Sequence, residues 1–96
     1  IMAELVGLTI RELENSGNAL LEEAEKKDLV GLKKIGHKLY GTAVTAGTLA
    51  LAELAREIEL LTEFNPEVVA RLLLQTQDEV LLVKQLITDI MITHEG

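Results

Sequence analysis

The sequence contains no cysteine and no tryptophan, and it has a single proline, a single tyrosine and a single phenylalanine. Without cysteine the chain cannot form disulfides, bind a metal through thiolates or perform thiol catalysis. The near absence of aromatic residues leaves almost nothing on which nucleic-acid bases could stack. Only two histidines are present, His37 and His94, and their wide separation excludes a His-rich metal tract. These absences remove most of the chemistry that a small domain could carry by itself.

Positive charge is also scarce. The 96 residues include 9 Lys and Arg against 16 Asp and Glu, which gives a formal net charge of −7. That balance argues against a nucleic-acid binder and against a polybasic membrane-surface segment. No apolar run approaches the roughly 20 residues of a spanning helix, and residues 1–4 lack the basic start of a secretory signal. We therefore expect a cytoplasmic domain without membrane contact.

The length fits one domain over residues 1–96, with no room for a second core. Because the chain begins at Ile1 rather than Met, we expect it to be a module of a larger multidomain protein. Apolar residues recur at steps of three and four, which predicts helices over about 2–26, 29–46, 49–61 and 66–91. Asp28, Thr48 and Asn65 are predicted N-caps, and Gly47 is a predicted helix stop. The fold class is therefore all-α, an antiparallel up-down four-helix bundle that needs no partner for its core and is expected to be monomeric.

The predicted core lies on one face of each helix. Gly17 interrupts the first helix, and we interpret it as a site of close approach between helices rather than a break. On the first two helices the inward-facing residues are Leu5, Thr9, Leu13, Ser16, Leu20, Ala24, Leu32, Ile35, Gly36, Leu39, Ala43 and Ala46.

His37 lies on the opposite face of the second helix. Each residue of an α-helix turns about 100 degrees, so His37 points about 200 degrees away from Ile35 and toward solvent. Spacing puts Lys33, Tyr40, Gly41 and Val44 on that outward face, while Lys34 and Lys38 flank it.

This outward face is unusual because a glycine follows the histidine one turn later. A glycine inside a helix is destabilising, so Gly41 needs a physical reason. Either it lets a partner reach the imidazole of His37, or it is an ordinary packing glycine beside a solvated histidine. An accessible imidazole among lysines suits an incoming phosphoryl group.

Residues 37–47 read His-Lys-Leu-Tyr-Gly-Thr-Ala-Val-Thr-Ala-Gly. This segment resembles the signature of histidine-containing phosphotransfer (HPt) domains, in which His, Leu, Lys, Gly, Ala and Gly stand at fixed spacing. The similarity continues through Leu51, Leu54, Ala55, Ile58 and Glu59, and it covers roughly residues 5–90.

The resemblance implies a phosphorelay carrier with His37 as the phospho-acceptor, supported by Gly41, Lys33, Lys34, Lys38 and Tyr40, with Val44 in the docking surface. The implied partner is a response-regulator receiver domain, and a histidine kinase in the same chain is a second implied partner. The implied domain holds no cofactor or metal of its own, because Mg²⁺ belongs to the receiver. Such a domain is a phosphocarrier rather than a self-contained enzyme.

One residue departs from the family pattern. Tyr40 stands where the family has a lysine that steadies the phosphoryl oxygens. Lys33 or Lys34 could supply the missing charge, since residues three and four positions before His37 share its face. Lys38 is turned away and is a weaker candidate. Otherwise transfer is slower, or the domain is a retired carrier used only for docking. Another interpretation of Tyr40 is an aromatic docking residue at the rim of a receiver interface.

A second hypothesis is a non-catalytic helical docking module with the same fold. A buried His37, or a His37 paired with a neighbouring carboxylate, would favour it. A third hypothesis, an oligomerising spacer, predicts an open apolar stripe, and the sequence shows no surplus stripe.

Overall fold

The computed structural model describes the backbone of residues 2–95 and the side chains of residues 7–90. It contains four helices, α1 (Met2–Glu25), α2 (Leu29–Thr45), α3 (Leu49–Glu59) and α4 (Pro66–Glu95). No strand occurs in this part of the chain, so the all-α prediction is confirmed. The predicted boundaries of α1 and α2 are correct to within one residue. Helix α3 ends two residues earlier than predicted, at Glu59, and α4 continues to Glu95 rather than ending near Met91.

Side chains cap two of the helices as the sequence predicts. The Asp28 carboxylate accepts a hydrogen bond from the backbone N–H of Gly31 at 3.0 Å. Asn65 accepts one from Glu67 at 3.0 Å, which leaves Pro66 at the first helical position. Thr48 precedes α3 but makes no side-chain cap. Its hydroxyl instead donates to the Ala43 carbonyl at 3.1 Å, so Thr48 occupies the predicted N-cap position without the side-chain hydrogen bond of a cap.

The helices form a closed ring in which each packs against two neighbours, α1 on α2, α2 on α3, α3 on α4 and α4 on α1. Short joints connect them, and Gly47, with φ of +75°, ends α2 as predicted. The core is almost entirely aliphatic. Its buried residues are Leu13, Leu20, Leu32, Leu39, Ala43, Leu51, Ala52, Ala55, Ile58, Val69, Leu72, Leu73, Val80 and Val83.

Most of the predicted inward face is confirmed, with four exceptions. Thr9, Ala24 and Ile35 are only half-buried, and Ala46 is exposed because α2 ends there. The predicted core residue Leu5 lies outside the side chains that the structure describes.

Two glycines mark close contacts between helices. A Cβ on Gly17 would lie 3.1 Å from Nε2 of Gln77, and that amide donates to the Gly17 carbonyl at 3.1 Å. The predicted close approach at Gly17 is therefore confirmed. Gly36 is tighter still, since a Cβ there would lie 2.9 Å from the backbone nitrogen of Glu59 and 3.0 Å from the Ala55 carbonyl. The contact at Gly36 fixes where α3 lies beside α2.

The outer side of α4 departs from the expectation of a balanced bundle. Leu82, Leu86 and Ile90 are exposed and spaced four residues apart, so they lie along one side of the helix. Leu74 and Leu81 are exposed as well. The statement that no surplus apolar stripe exists was therefore wrong. That prediction was wrong because these exposed leucines are interspersed with buried residues, so the sequence pattern does not distinguish them from core residues.

Candidate functional site: the exposed histidine of α2

His37 lies on the exposed side of α2, as predicted. Its side chain is 76% accessible to solvent, and its Nδ1 atom lies 2.5 Å from a carboxylate oxygen of Glu59 on α3. The histidine is therefore open to a partner, and it is also paired with a carboxylate. The pairing is the feature that the docking hypothesis predicts, while the exposure is the feature that phosphotransfer requires.

The two ring nitrogens of His37 are in different environments. An ionised carboxylate can only accept hydrogen bonds, so a contact with Glu59 assigns the proton to Nδ1. In the neutral imidazole the lone pair then belongs to Nε2, the nitrogen distal to the backbone. The Glu59 contact therefore occupies one nitrogen and leaves the other available as a nucleophile.

Sequence reasoning did not select Glu59 as a site residue. Its side chain is 21% exposed, and its second oxygen, Oε1, is buried without a hydrogen-bond partner. Nη1 of Arg56 lies 3.6 Å from that oxygen. The signal that could have found Glu59 is Gly36, one residue before the histidine, which allows the α3 backbone to come this close.

Lys33 and Lys34 lie beside His37. Together with Val30, Glu59 and Leu60, these residues line an open groove along the first half of α2. Lys33 is half-buried and Lys34 is exposed. The predicted placement of two lysines next to the imidazole is therefore confirmed.

Lys38 and Gly41 face a different groove, between α1 and α2, which they share with Thr9, Glu12 and Thr42. A Cβ on Gly41 would meet nothing within 4 Å. No contact within the described part of the chain requires a glycine at that position. This finding favours access by a partner over packing as the reason for Gly41.

Tyr40 does not share the open face of His37, which corrects the sequence interpretation. It is half-buried and packs against the core on the α3 side, because a step of three residues along α2 turns it toward that helix. The guanidinium carbon of Arg56 lies 4.0 Å from the centre of the tyrosine ring. Val44 is 48% exposed and lies with Tyr40 in a groove that also involves Leu49 and Glu53.

Arg56 interacts with both Tyr40 and Glu59. Its pKa is raised above the ordinary value, first by hydrogen bonding to the Tyr40 side chain and then by charge interactions with Tyr40 and Glu59. His37, Glu59, Arg56 and Tyr40 therefore form a continuous series of contacts between α2 and α3.

Other candidate chemistry is absent from the part of the chain that the structure describes. No cluster of three His, Cys, Asp or Glu residues there could hold a metal ion. None of its helices is long and apolar enough to cross a membrane. The side chain of His94, to which the sequence assigned no role, lies outside the described residues.

Within the described residues, the bundle therefore presents one exposed histidine with a glycine one turn later and two lysines in the same groove. The family model for the Hpt domain matches residues 4–90. The chain therefore belongs to the Hpt domain family, whose members are phosphotransfer modules of two-component signalling and generally interact with response regulators. Searches of curated proteins and of solved structures gave no significant match.

Proposed function

We propose that this domain is a phosphorelay carrier that exchanges a phosphoryl group between Nε2 of His37 and the aspartate of a receiver domain. The observation that carries the proposal is the 76% exposure of the His37 side chain, which leaves Nε2 accessible to a partner while Nδ1 contacts Glu59. This arrangement leaves a lone pair on the nitrogen that a partner can reach.

The transfer proceeds without a proton leaving the histidine. The Nε2 lone pair forms a bond to phosphorus as the bond from phosphorus to the aspartyl oxygen breaks, and the bonding electrons return to the receiver carboxylate. The proton on Nδ1 stays in place, so the phosphorylated ring carries positive charge. The carboxylate of Glu59, 2.5 Å from that nitrogen, stabilises this charge.

Lys33 and Lys34 would supply the positive charge that Tyr40 lacks. A phosphorylated side chain carries between one and two negative charges at neutral pH, as other phospho-residues do. The two lysines share the groove of His37, whereas Lys38 lies in the other groove. We assign the supporting role to Lys33 and Lys34 and a peripheral docking role to Lys38.

The docking surface in this proposal is the outer side of α2 around Gly41, extended by Val44. Val44 offers an exposed apolar side chain, and Gly41 leaves open space one turn from the histidine. The receiver contributes Mg²⁺, which neutralises charge on the phosphoryl oxygens, and the domain itself holds no cofactor. The same proposal implies a cytoplasmic setting and a place within a larger sensor kinase.

The direct test is transfer from receiver domains that have been phosphorylated with acetyl phosphate. We expect the wild-type domain to gain phosphate that is labile in acid, and His37→Gln to gain none. His94→Gln is the matched control, because it removes the other histidine, and it should be phosphorylated like the wild type. Equal labelling of His37→Gln and wild type would reject the proposal.

Docking without transfer is the second candidate, favoured by Tyr40 and by the carboxylate on Nδ1. It predicts that a receiver binds the domain while no phosphate moves to His37. Measuring binding by titration calorimetry beside the transfer assay separates the two functions.

A further inference from the structure

Arg56 lies between two side chains of the site. Its guanidinium carbon is 4.0 Å from the centre of the Tyr40 ring, and its Nη1 is 3.6 Å from Oε1 of Glu59. The other oxygen of the same carboxylate contacts Nδ1 of His37. Arg56 thus reaches the histidine through one intervening residue, although the two lie on different helices.

The carboxylate of Glu59 needs such a partner. Its Oε1 is buried and accepts no hydrogen bond, and a buried carboxylate oxygen without compensation is costly. Without a charge on the Oε1 side, rotation of the carboxylate toward water would relieve that cost. The same rotation would remove Oε2 from the imidazole. The cation at 3.6 Å opposes this rotation because it attracts Oε1 inward.

The Tyr40 ring determines where the guanidinium lies. A planar guanidinium stacks on an aromatic face, and a flexible side chain that is 47% exposed would otherwise have many rotamers available. Tyr40 itself is fixed because it packs against the core. The ring therefore acts as a platform that orders Arg56 on the side of α3 facing α2.

We propose that Arg56, stacked on Tyr40, is a positioning residue that holds the Glu59 carboxylate against Nδ1 of His37 and so keeps the lone pair on Nε2. The inference rests on the proposed phosphotransfer for its consequence, but not for its geometry. It also gives Tyr40 a role that differs from that of a lysine. The aromatic residue orders a cation from the neighbouring helix instead of carrying one itself.

The test measures the histidine directly. Nitrogen-15 NMR shifts of the His37 ring report which nitrogen carries the proton in the unphosphorylated protein. We expect the wild type to hold the proton on Nδ1, and Arg56→Gln to show a mixture of the two tautomers. Arg71→Gln is the matched control, since Arg71 is an exposed arginine of α4 that contacts Gln75, and it should match the wild type.

Tyr40→Leu should move the tautomer mixture in the same direction as Arg56→Gln. The double variant should then be no worse than either single variant, because both remove the same support. If Tyr40→Leu does not fold, the comparison of Arg56→Gln with Arg71→Gln decides the matter alone. Arg56→Lys, which retains charge without the planar stack, should restore only part of the wild-type signal.

Phosphotransfer provides the second readout. Arg56→Gln should lower the transfer rate at saturating receiver by about tenfold, with little change in KM. This loss is smaller than the one that a 1 Å misplacement of a reacting group can cause. Wild-type tautomer populations in Arg56→Gln would overturn the inference, as would a change confined to KM. If the wild type accepts no phosphate, the proposed function fails, while the NMR comparison still tests the positioning role.

Discussion

The backbone nitrogen of Glu59 lies 2.9 Å from the position that a Cβ atom would take at Gly36. The residue before the histidine and the residue that pairs with the histidine are therefore in direct contact through their backbones. This contact sets the separation of α2 and α3, and so it determines whether the Glu59 carboxylate reaches Nδ1 of His37.

Gly36→Ala should destabilise the bundle. The added methyl group would meet backbone atoms of Glu59 and Ala55, which cannot move aside as a flexible side chain can. Overpacking of this kind costs about 1–3 kcal/mol, and we expect a loss in that range from urea unfolding. Unchanged stability would show that α3 shifts without cost, in which case the Glu59 contact should be lost in the NMR spectrum.

Gly41→Ala should have the opposite effect on stability. Open space surrounds this position, so alanine gains helix propensity of about 0.5–1 kcal/mol without a clash. The same methyl group should raise KM for a phosphorylated receiver, because it occupies space that the partner needs.

Gly7→Ala is the matched control for that experiment. Gly7 is also exposed within a helix and has nothing within 4 Å of a Cβ position. It should increase stability by a similar amount and leave phosphotransfer unchanged. Equal transfer by Gly41→Ala and Gly7→Ala would contradict the access interpretation of Gly41.

Glu59→Gln should weaken phosphorylation of His37. The amide keeps the shape of the side chain but removes the charge that stabilises the phosphorylated ring. A hydrogen bond to a charged group contributes about 1.5–3 kcal/mol, which corresponds to roughly tenfold or more in the equilibrium between phosphohistidine and phosphoaspartate. Glu57→Gln, on the exposed side of the same helix, is the control and should behave like the wild type. The measurement is the fraction of the phosphate that is on the domain and on the receiver at equilibrium.

Removing Lys33 and Lys34 together should slow transfer from the receiver at low ionic strength by roughly tenfold, with a smaller effect as salt is raised. The double variant of Lys33→Gln and Lys34→Gln changes the net charge by two. Lys26→Gln combined with Lys27→Gln makes the same change at the joint between α1 and α2, away from the groove of His37. If both pairs lower the rate equally, net charge rather than local charge would explain the effect.

Acid should loosen the start of α2 before the rest of the helix. The pKa of Asp28 is lowered from the ordinary 3.8, first by the hydrogen bond from the Gly31 backbone and then by a side-chain hydrogen bond with Glu23. Its stabilising contribution is therefore fully present above pH 3.8 and is lost as the pH falls through the lower folded value. Hydrogen exchange at the Gly31 amide should accelerate in that range, and Asp28→Asn should remove the pH dependence.

Much of the fold could be predicted from the sequence because periodicity and caps are local signals. Asp28, Asn65, Pro66 and Gly47 each act within one turn of the chain, and the structure has them where their chemistry requires. Thr48 is an exception, because its hydroxyl donates a hydrogen bond to the Ala43 carbonyl and does not accept one from a helix N–H.

The candidate site was predicted only in part, because the sequence pattern gives the geometry within one helix but not the contacts between helices. The exposure of His37 follows from its angle to Ile35 on one helix, and the neighbouring lysines follow from the same geometry. Glu59 and Arg56 reach the site from α3. Their positions depend on how closely α3 approaches α2 at Gly36, and the residue spacing within α2 does not specify that distance. The side on which Tyr40 lies follows from its step of three residues along α2, but whether that side faces α3 depends on how the two helices pack.

Two of the three glycines of α2, Gly36 and Gly41, differ in what surrounds them. Gly36 faces its own chain, and a change there alters the bundle, whereas Gly41 faces only the surroundings. If the outer side of α2 is the docking surface, as proposed, substitutions there can change the choice of receiver while the fold persists, because packing uses other residues of the same helix. A duplicated copy of such a domain could therefore acquire a separate signalling route through a small number of surface changes.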